Sequence, residues 1–241
     1  MKVDILAVGV HPNDVELCCA GTLLGELHRG RTVGILDLTA GELGTNGDGE
    51  TRLQEAERSR QILGASWRLN LGMADGFFTV DRQHILPIAR VIRQCRPEVL
   101  LCNVPEDRHP DHGRAAQLVA EAAFYSGLSK IELADDEGTL LERWRPNVVL
   151  HYLQDHYHKP SVVYDITAHF EKKNEAIRSF SSQFQPPDSN VTLIPTPISG
   201  TDFWHFLEAR AREMGRLIGC EYGEGFITEQ PLRVKNLFDL V

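Results

Sequence analysis

The stretch VDILAVGVHPNDVELCCAGTLLGELHR, residues 3–29, changes character twice. Val3 to Val10 is almost continuously apolar, as expected of a strand covered on both faces. His11 to Asn13 form a short polar turn, and residues 14–29 read as a helix. Strand, polar turn and helix make the opening unit of an α/β sheet, and the chain repeats that unit. "TVGILDLT" (32–39), "WRLNLG" (67–72) and "EVLLCNV" (98–104) read as further strands, with helices predicted over 51–63, 83–95 and 113–126. Thr51-x-x-Gln54 fits a capping box, and Gly64 marks the end of that helix.

The second half is less regular. "NVVLHYL" (147–153) and "SVVYDIT" (161–167) look like two more strands, and "QPPDSNVTLIPTPISG" (185–200) like a long loop rich in Pro and Ser. A late helix begins near Thr201, with Phe203, Phe206, Leu207 and Ala211 as its apolar stripe. It is expected to pack on the sheet or to form a subunit contact. The pattern predicts an α/β fold: one domain, 1–241, with a doubly wound, mainly parallel, Rossmann-like sheet and helices on both faces.

Composition narrows the function. The chain has 241 residues, 42% hydrophobic, and a formal net charge of -9, so it lacks the electrostatic footprint for nucleic acid or an anionic membrane. No apolar run approaches the ~18 residues that span a bilayer. "MKVDILAVGVHPNDVE" reads as a first strand rather than a secretory leader. The five cysteines are odd in number and form no CxxC pair, which points to reduced thiols in a cytoplasmic protein and away from a zinc–thiolate centre.

In open sheets of this kind, ligands sit beyond the carboxyl ends of the strands. The loops there are "HPNDVE", "GELGTNGDGE", "MADGFF" and "PEDRHPDHGR", so two dense His/Asp clusters fall on one edge of the sheet. His11 and Asp14 are three residues apart, as are His109 and His112. A catalytic zinc site commonly takes three His or carboxylate ligands and leaves one position for water. Four candidates for three places leave one histidine free to act on a substrate. The Gly-rich "GELGTNGDG" lacks both GxGxxG and GxxxxGK[ST] spacing, which disfavours a nucleotide binder and suggests a flexible loop over the site.

These residues carry a family resemblance. "HPNDVE" resembles the HPDDxE signature, and "RHPDHGR" the HPDH signature, of the LmbE-like (PIG-L) zinc-dependent N-acetylglucosamine deacetylases. The resemblance runs along most of the chain, through "EAERSRQILGA" and "LGMADGFF". "PEDRHPDHGRAAQLVAEAAFYSGL" is similar to the bacillithiol-biosynthesis deacetylases, which act on N-acetylglucosaminyl malate. It implies that His11, Asp14 and His112 bind Zn2+ or another divalent ion such as iron(II). It implies that His109 stabilises an oxyanion or protonates the leaving amine, with Asp111 holding its imidazolium. Arg52 resembles a substrate-binding arginine, and Asp75 a carboxylate that holds sugar hydroxyls. The implied partners are a small amino-sugar conjugate and further copies of the chain, in a hexamer or other trimer-based assembly. Another GlcNAc derivative, such as a chitobiose or a glycolipid precursor, is the alternative substrate.

One letter departs from the pattern. Where the family carries an aspartate as general base, this chain has Asn13, which can hydrogen-bond but has no useful basicity. An Asp-to-Asn variant made to trap substrate, a natural homologue with another base, and a zinc-containing sugar binder without catalysis all fit. Glu16 and Asp111 are the nearest substitute acids. Arg108 is expected to pair with a substrate carboxylate such as malate, or with Glu106 or Asp107. His151, His156, His158 and Lys159 are expected along the far wall of the pocket.

Overall fold

A computed structural model describes residues 1–185 and 193–240. Seven strands form one sheet in the order β3-β2-β1-β4-β5-β7-β6. They are β1 (Ile5–Gly9), β2 (Val33–Thr39), β3 (Trp67–Met73), β4 (Val99–Cys102), β5 (Val148–Tyr152), β6 (Val162–Asp165) and β7 (Gly223–Ile227). The first five in this order are parallel, and β7 runs antiparallel to both β5 and β6. The mainly parallel, doubly wound sheet is the one the sequence predicts.

Among the described residues six α-helices cover the sheet: α1 (Asp14–His28), α2 (Gly49–Leu63), α3 (Arg82–Cys95), α4 (Pro110–Ser126), α5 (Phe170–Arg178) and α6 (Thr201–Ile218). Alternate residues of each strand point to opposite faces. Ile5, Ala7, Val33, Ile35 and Leu101 therefore enter one core with residues of α1, α2, α5 and α6. Leu6, Val8, Leu36, Leu38 and Leu100 enter a second core with α3 and α4. Near-continuous apolar runs in β1 and β2 follow from this burial on both sides.

Several boundaries differ from the sequence reading, each for a local reason. Asp48 caps α2 by accepting the Thr51 N–H at 2.8 Å, so the helix starts before the Thr51-x-x-Gln54 box. Pro110 occupies the first turn of α4, which therefore begins three residues earlier than expected and makes His109 its N-cap. Strand β7 and helix α5 have no counterpart in the sequence reading. β7 holds two glycines in "GEGFI", and α5 is short and highly charged. Of the predicted 185–200 loop, residues 186–192 lie outside the described residues.

A charged cluster lies beneath the sheet edge. Arg68 of β3 binds Asp37 of β2 through Nε and Glu16 of α1 through Nη1, both at 2.6 Å, with all three side chains buried. Ser59 donates to the same Glu16 oxygen at 2.6 Å. Buried charges are stable only when paired, so removing one partner strands the others. Arg68→Ala should lower the unfolding free energy by about 3–5 kcal/mol in urea titration. A loss of only ~0–1 kcal/mol, the range of an exposed pair, would show that water compensates the two acids.

Candidate metal centre and active site

β1 and β4 are hydrogen-bonded neighbours, so their carboxyl ends deliver "HPND" and "RHPDH" to the same point. The turn after β1 folds around the Asp14 carboxylate. Its Oδ2 accepts the backbone N–H of Val10 and of His11, both at 3.0 Å, and the Asn103 side-chain amide at 3.0 Å. Its Oδ1 accepts from Gln154 at 3.3 Å. Burial pushes the Asp14 pKa up, but the His112 and His11 charges and these N–H groups outweigh it and hold the acid ionised.

Two histidines flank this carboxylate, each held from behind by another acid. His11 Nε2 lies 3.0 Å from Asp75 and 3.7 Å from Asp111, which leaves Nδ1 3.8 Å from Asp14 Oδ2. His112 Nδ1 lies 2.5 Å from Asp107, which leaves Nε2 3.6 Å from Asp14 Oδ1. These nitrogen–oxygen gaps are long for hydrogen bonds. They match the ~3.4 Å edge of a tetrahedron with ~2.1 Å ligand bonds. An acid behind each imidazole is the usual arrangement around a bound metal. The His11 gap is to Oδ2 and the His112 gap to Oδ1, so each histidine faces its own oxygen of Asp14, and the His and Asp donors gathered here are of the kind that hold a divalent ion.

Charge supports the same fit. Burial lowers the His11 pKa, but hydrogen bonds to Asp111 and Asp75 and the charge of Asp14 override it and push it up to about 9. The acids demand a cation, and without a metal a proton supplies it. Among the described residues, the trios whose ligand atoms all lie within 4.8 Å of one another are His11, His109 and His112, and His11, Asp75 and Asp111; Asp14, expected as a ligand, belongs to neither.

His109 sits at the N-terminus of α4, where its Nδ1 accepts the Asp111 N–H at 3.2 Å, an assignment that puts the ring proton on Nε2. Burial and the charges of His11 and His112 lower its pKa. The expectation that the Asp111 carboxylate holds His109 is corrected. That carboxylate takes the Gly76 N–H at 2.8 Å and Arg114 at 2.6 Å, and leans towards His11. Asp75, expected on sugar hydroxyls, instead holds His11 and the Leu43 N–H.

Arg52 is buried, with Nη1 on the Gly41 carbonyl at 2.7 Å and Nη2 on Pro12 at 3.0 Å. It clamps the loop after β2 to the turn after β1, and its Nε is buried without a partner among the described residues. Gly41 has φ 66°, and a Cβ there would overlap the guanidinium, so both conformation and space require glycine. Arg108 pairs with Asp155, not with Glu106 or Asp107. Glu16, a candidate substitute base, is committed to Arg68 and Ser59 and does not line the site.

A cleft of about 300 Å³ opens over the centre. Its walls include His11, Asn13, Asp14, Arg52, Asp75, Arg108, His109 and His112, together with residues that sequence reasoning left out: Gln154, and Phe203, Phe206, Leu207 and Arg210 of α6. His151, His156, His158 and Lys159 do not line it. His151 is buried with Nδ1 2.7 Å from the Asn103 carbonyl, and His158 Nε2 lies 2.6 Å from that of Glu106. The loop after β2 roofs the cleft and is tied down, with Asn46 bonded to Ile194 and Gln183. Asn13 has φ 126°, unusual for a residue other than glycine, and its side chain makes no hydrogen bond with the described residues.

Known proteins resemble this chain along most of its length. The family model described as PIG-L: GlcNAc-PI de-N-acetylase matches residues 6–123. The diacetylchitobiose deacetylase of Thermococcus kodakarensis is 30% identical over 233 residues, which is 92% of this chain and 81% of that one. A Bacillus anthracis protein described as a probable N-acetyl-alpha-D-glucosaminyl L-malate deacetylase 2 is 28% identical over 199 residues, 75% of this chain and 81% of that one. A conserved protein of Thermus thermophilus has a crystal structure that superposes with a TM-score of 0.85 at 32% identity, covering 98% and 99% of the two chains.

Two outcomes test the centre. Asp107→Asn should weaken zinc binding about 10–100-fold in a chelator competition, since it frees the His112 ring; unchanged affinity would remove Asp107 from the centre. Because the His11 pKa is pushed up to about 9, an ion must displace its proton at neutral pH. Affinity should therefore rise from pH 6 towards ~9, with about one proton released per ion near pH 7, measured by calorimetry in buffers of different ionisation enthalpy. Binding without proton release would exclude His11 Nδ1 as a ligand.

Proposed function

The chain belongs to the PIG-L family, and from that premise we propose that its cleft hydrolyses the acetamide of an N-acetylglucosamine conjugate, releasing acetate and a free amine. The observation that supports this reading is the gathering of His11, Asp14, His109 and His112 along the wall of one cleft of about 300 Å³. Zinc bound by these residues would polarise the acetamide carbonyl and lower the pKa of its water towards ~7. His11 and His112 are aimed by Asp75 and Asp107. His109, with its proton on Nε2, supplies a hydrogen-bond donor for the developing oxyanion, and the departing amine takes up the proton that the attacking water loses.

Asn13 occupies the place of the proton acceptor. Its amide orients a water but takes no proton from it. The nearby acids are committed elsewhere: Asp75 to His11 and Leu43, Asp111 to Gly76 and Arg114, Asp155 to Arg108. The sequence as it stands is therefore a weakened enzyme, and Asn13 also supports a second reading as a sugar-binding protein without turnover. The description of the Bacillus relative supports L-malate as the other half of the substrate, as in bacillithiol synthesis. That of the Thermococcus relative supports a second amino sugar. A homo-oligomer working in the cytoplasm belongs to the same proposal.

Asn13→Asp should raise acetate release from N-acetylglucosaminyl malate or N,N'-diacetylchitobiose at least ~10²-fold, with zinc content unchanged. Equal rates in the two forms would dismiss the base assignment. A zinc-loaded Asn13→Asp protein that releases no acetate from any GlcNAc conjugate would leave the sugar-binding reading.

A further inference from the structure

Gln154, in the loop after β5, lines the cleft but takes no part in the chemistry above. It is buried, and its backbone is held on both sides. Arg210 of α6 donates to its carbonyl, and the next two backbone N–H groups, of Asp155 and His156, bind Asp107 Oδ1 at 3.0 and 2.7 Å. Asp107 is also the acid behind His112. The Gln154 loop and the His112 ring therefore share one anchor.

Which end of the Gln154 amide faces the centre follows from its neighbours. The Val10 N–H donates to Asn103 Oδ1 at 3.1 Å, so Asn103 Nδ2 is the donating end of that side chain. This nitrogen binds Asp14 Oδ2 at 3.0 Å and the Gln154 side-chain oxygen at 2.8 Å. Gln154 thus turns its own nitrogen to the centre, 3.3 Å from Asp14 Oδ1 and 3.5 Å from His112 Nε2. An amide nitrogen carries two hydrogens, and one serves Asp14. The other meets His112 only at the long limit of a hydrogen bond. An imidazole nitrogen committed to a metal has no lone pair left to accept it, which leaves that N–H for a ligand in the cleft.

Resting on the deacetylase reading of this cleft, we propose that Gln154 is a further catalytic residue, whose second N–H donates to the oxygen of the reacting acetamide. As the oxygen of water bonds to the carbonyl carbon, the C=O π pair moves onto the carbonyl oxygen, and that oxyanion is the acceptor Gln154 meets. When the pair returns, the C–N bond breaks and the nitrogen takes up the proton that the water gave up. A donor fixed in advance in a buried site needs no reorganisation as the charge forms, so it favours the tetrahedral state over the bound substrate. His109 reaches the cleft from the start of α4 and Gln154 from the loop after β5, so the two donors come from separate elements.

The test replaces Gln154 by Met, which keeps the length of the side chain but donates nothing, in the zinc-loaded Asn13→Asp form. With N-acetylglucosamine as substrate, kcat should fall about 10²-fold while KM stays within roughly twofold. Gln154→Asn, a shorter amide withdrawn from the centre, should lose a similar factor, and zinc content and melting temperature separate both from a damaged fold. A second readout needs no turnover: in the zinc-loaded Asn13 protein, Gln154→Met should weaken methylphosphonate, a tetrahedral anion, about tenfold in calorimetry and leave N-acetylglucosamine binding unchanged. An unchanged kcat, a loss confined to KM, or equal weakening of both ligands would overturn the role, as would methylphosphonate that binds neither form. Acetate release by the Asn13→Asp form with Gln154 intact reads the deacetylase proposal by itself. If that release is absent, both readings fall; if it is present and Gln154→Met keeps its kcat, only the role of Gln154 falls.

Discussion

The Asp14 carboxylate is the point on which the site depends. A buried anion needs several partners, and Asp14 finds them on three different segments: the backbone of the turn after β1, Asn103 after β4 and Gln154 after β5. Satisfying that one charge sets the path of the turn, the start of α1 and the spacing of adjacent strand ends. It also leaves His11 and His112 on either side, each with a nitrogen facing a different oxygen of the carboxylate, at 3.8 Å and 3.6 Å. Fold and centre are therefore one problem, solved by one acid.

Much of this is legible in the sequence because it is local. Strands β1, β2 and β4 announce themselves through unbroken apolar runs, and the three-residue spacings of His11/Asp14 and His109/His112 place each pair on one turn. The contacts that complete the site are not local. Asp107 looks like a charged loop residue until it is found behind His112, and Gln154 has no pattern around it at all. The sequence reading sets Asp75 against substrate and Asp111 against His109, whereas both face His11, because the loop after β3 folds inwards over the turn after β1. Strand β7 is hard to see in the sequence because its glycines mask the apolar alternation. Its Glu224 receives the N–H groups of Gly21 and Thr22 and pairs with buried Lys173, which a sequence scan reads as ordinary surface charge.

Asn13 separates two jobs that a single turn performs. Holding the ion falls to its neighbours, whose geometry does not use the Asn13 side chain. Accepting a proton would fall to position 13 alone. The backbone there has a positive φ, which Asn and Asp tolerate better than most residues. An exchange between the two is therefore conformationally mild while being chemically severe. Glu16 offers no relief: it is bound to Arg68, in the interior.

The family model ends at residue 123, whereas Phe203, Phe206, Leu207 and Arg210 of the cleft wall lie far behind it in the chain. Helix α6 is nonetheless tied to the centre, because Arg210 holds the Gln154 carbonyl and the Gln154 amide holds Asp14. A change in α6 therefore reaches the carboxylate through a single intervening residue.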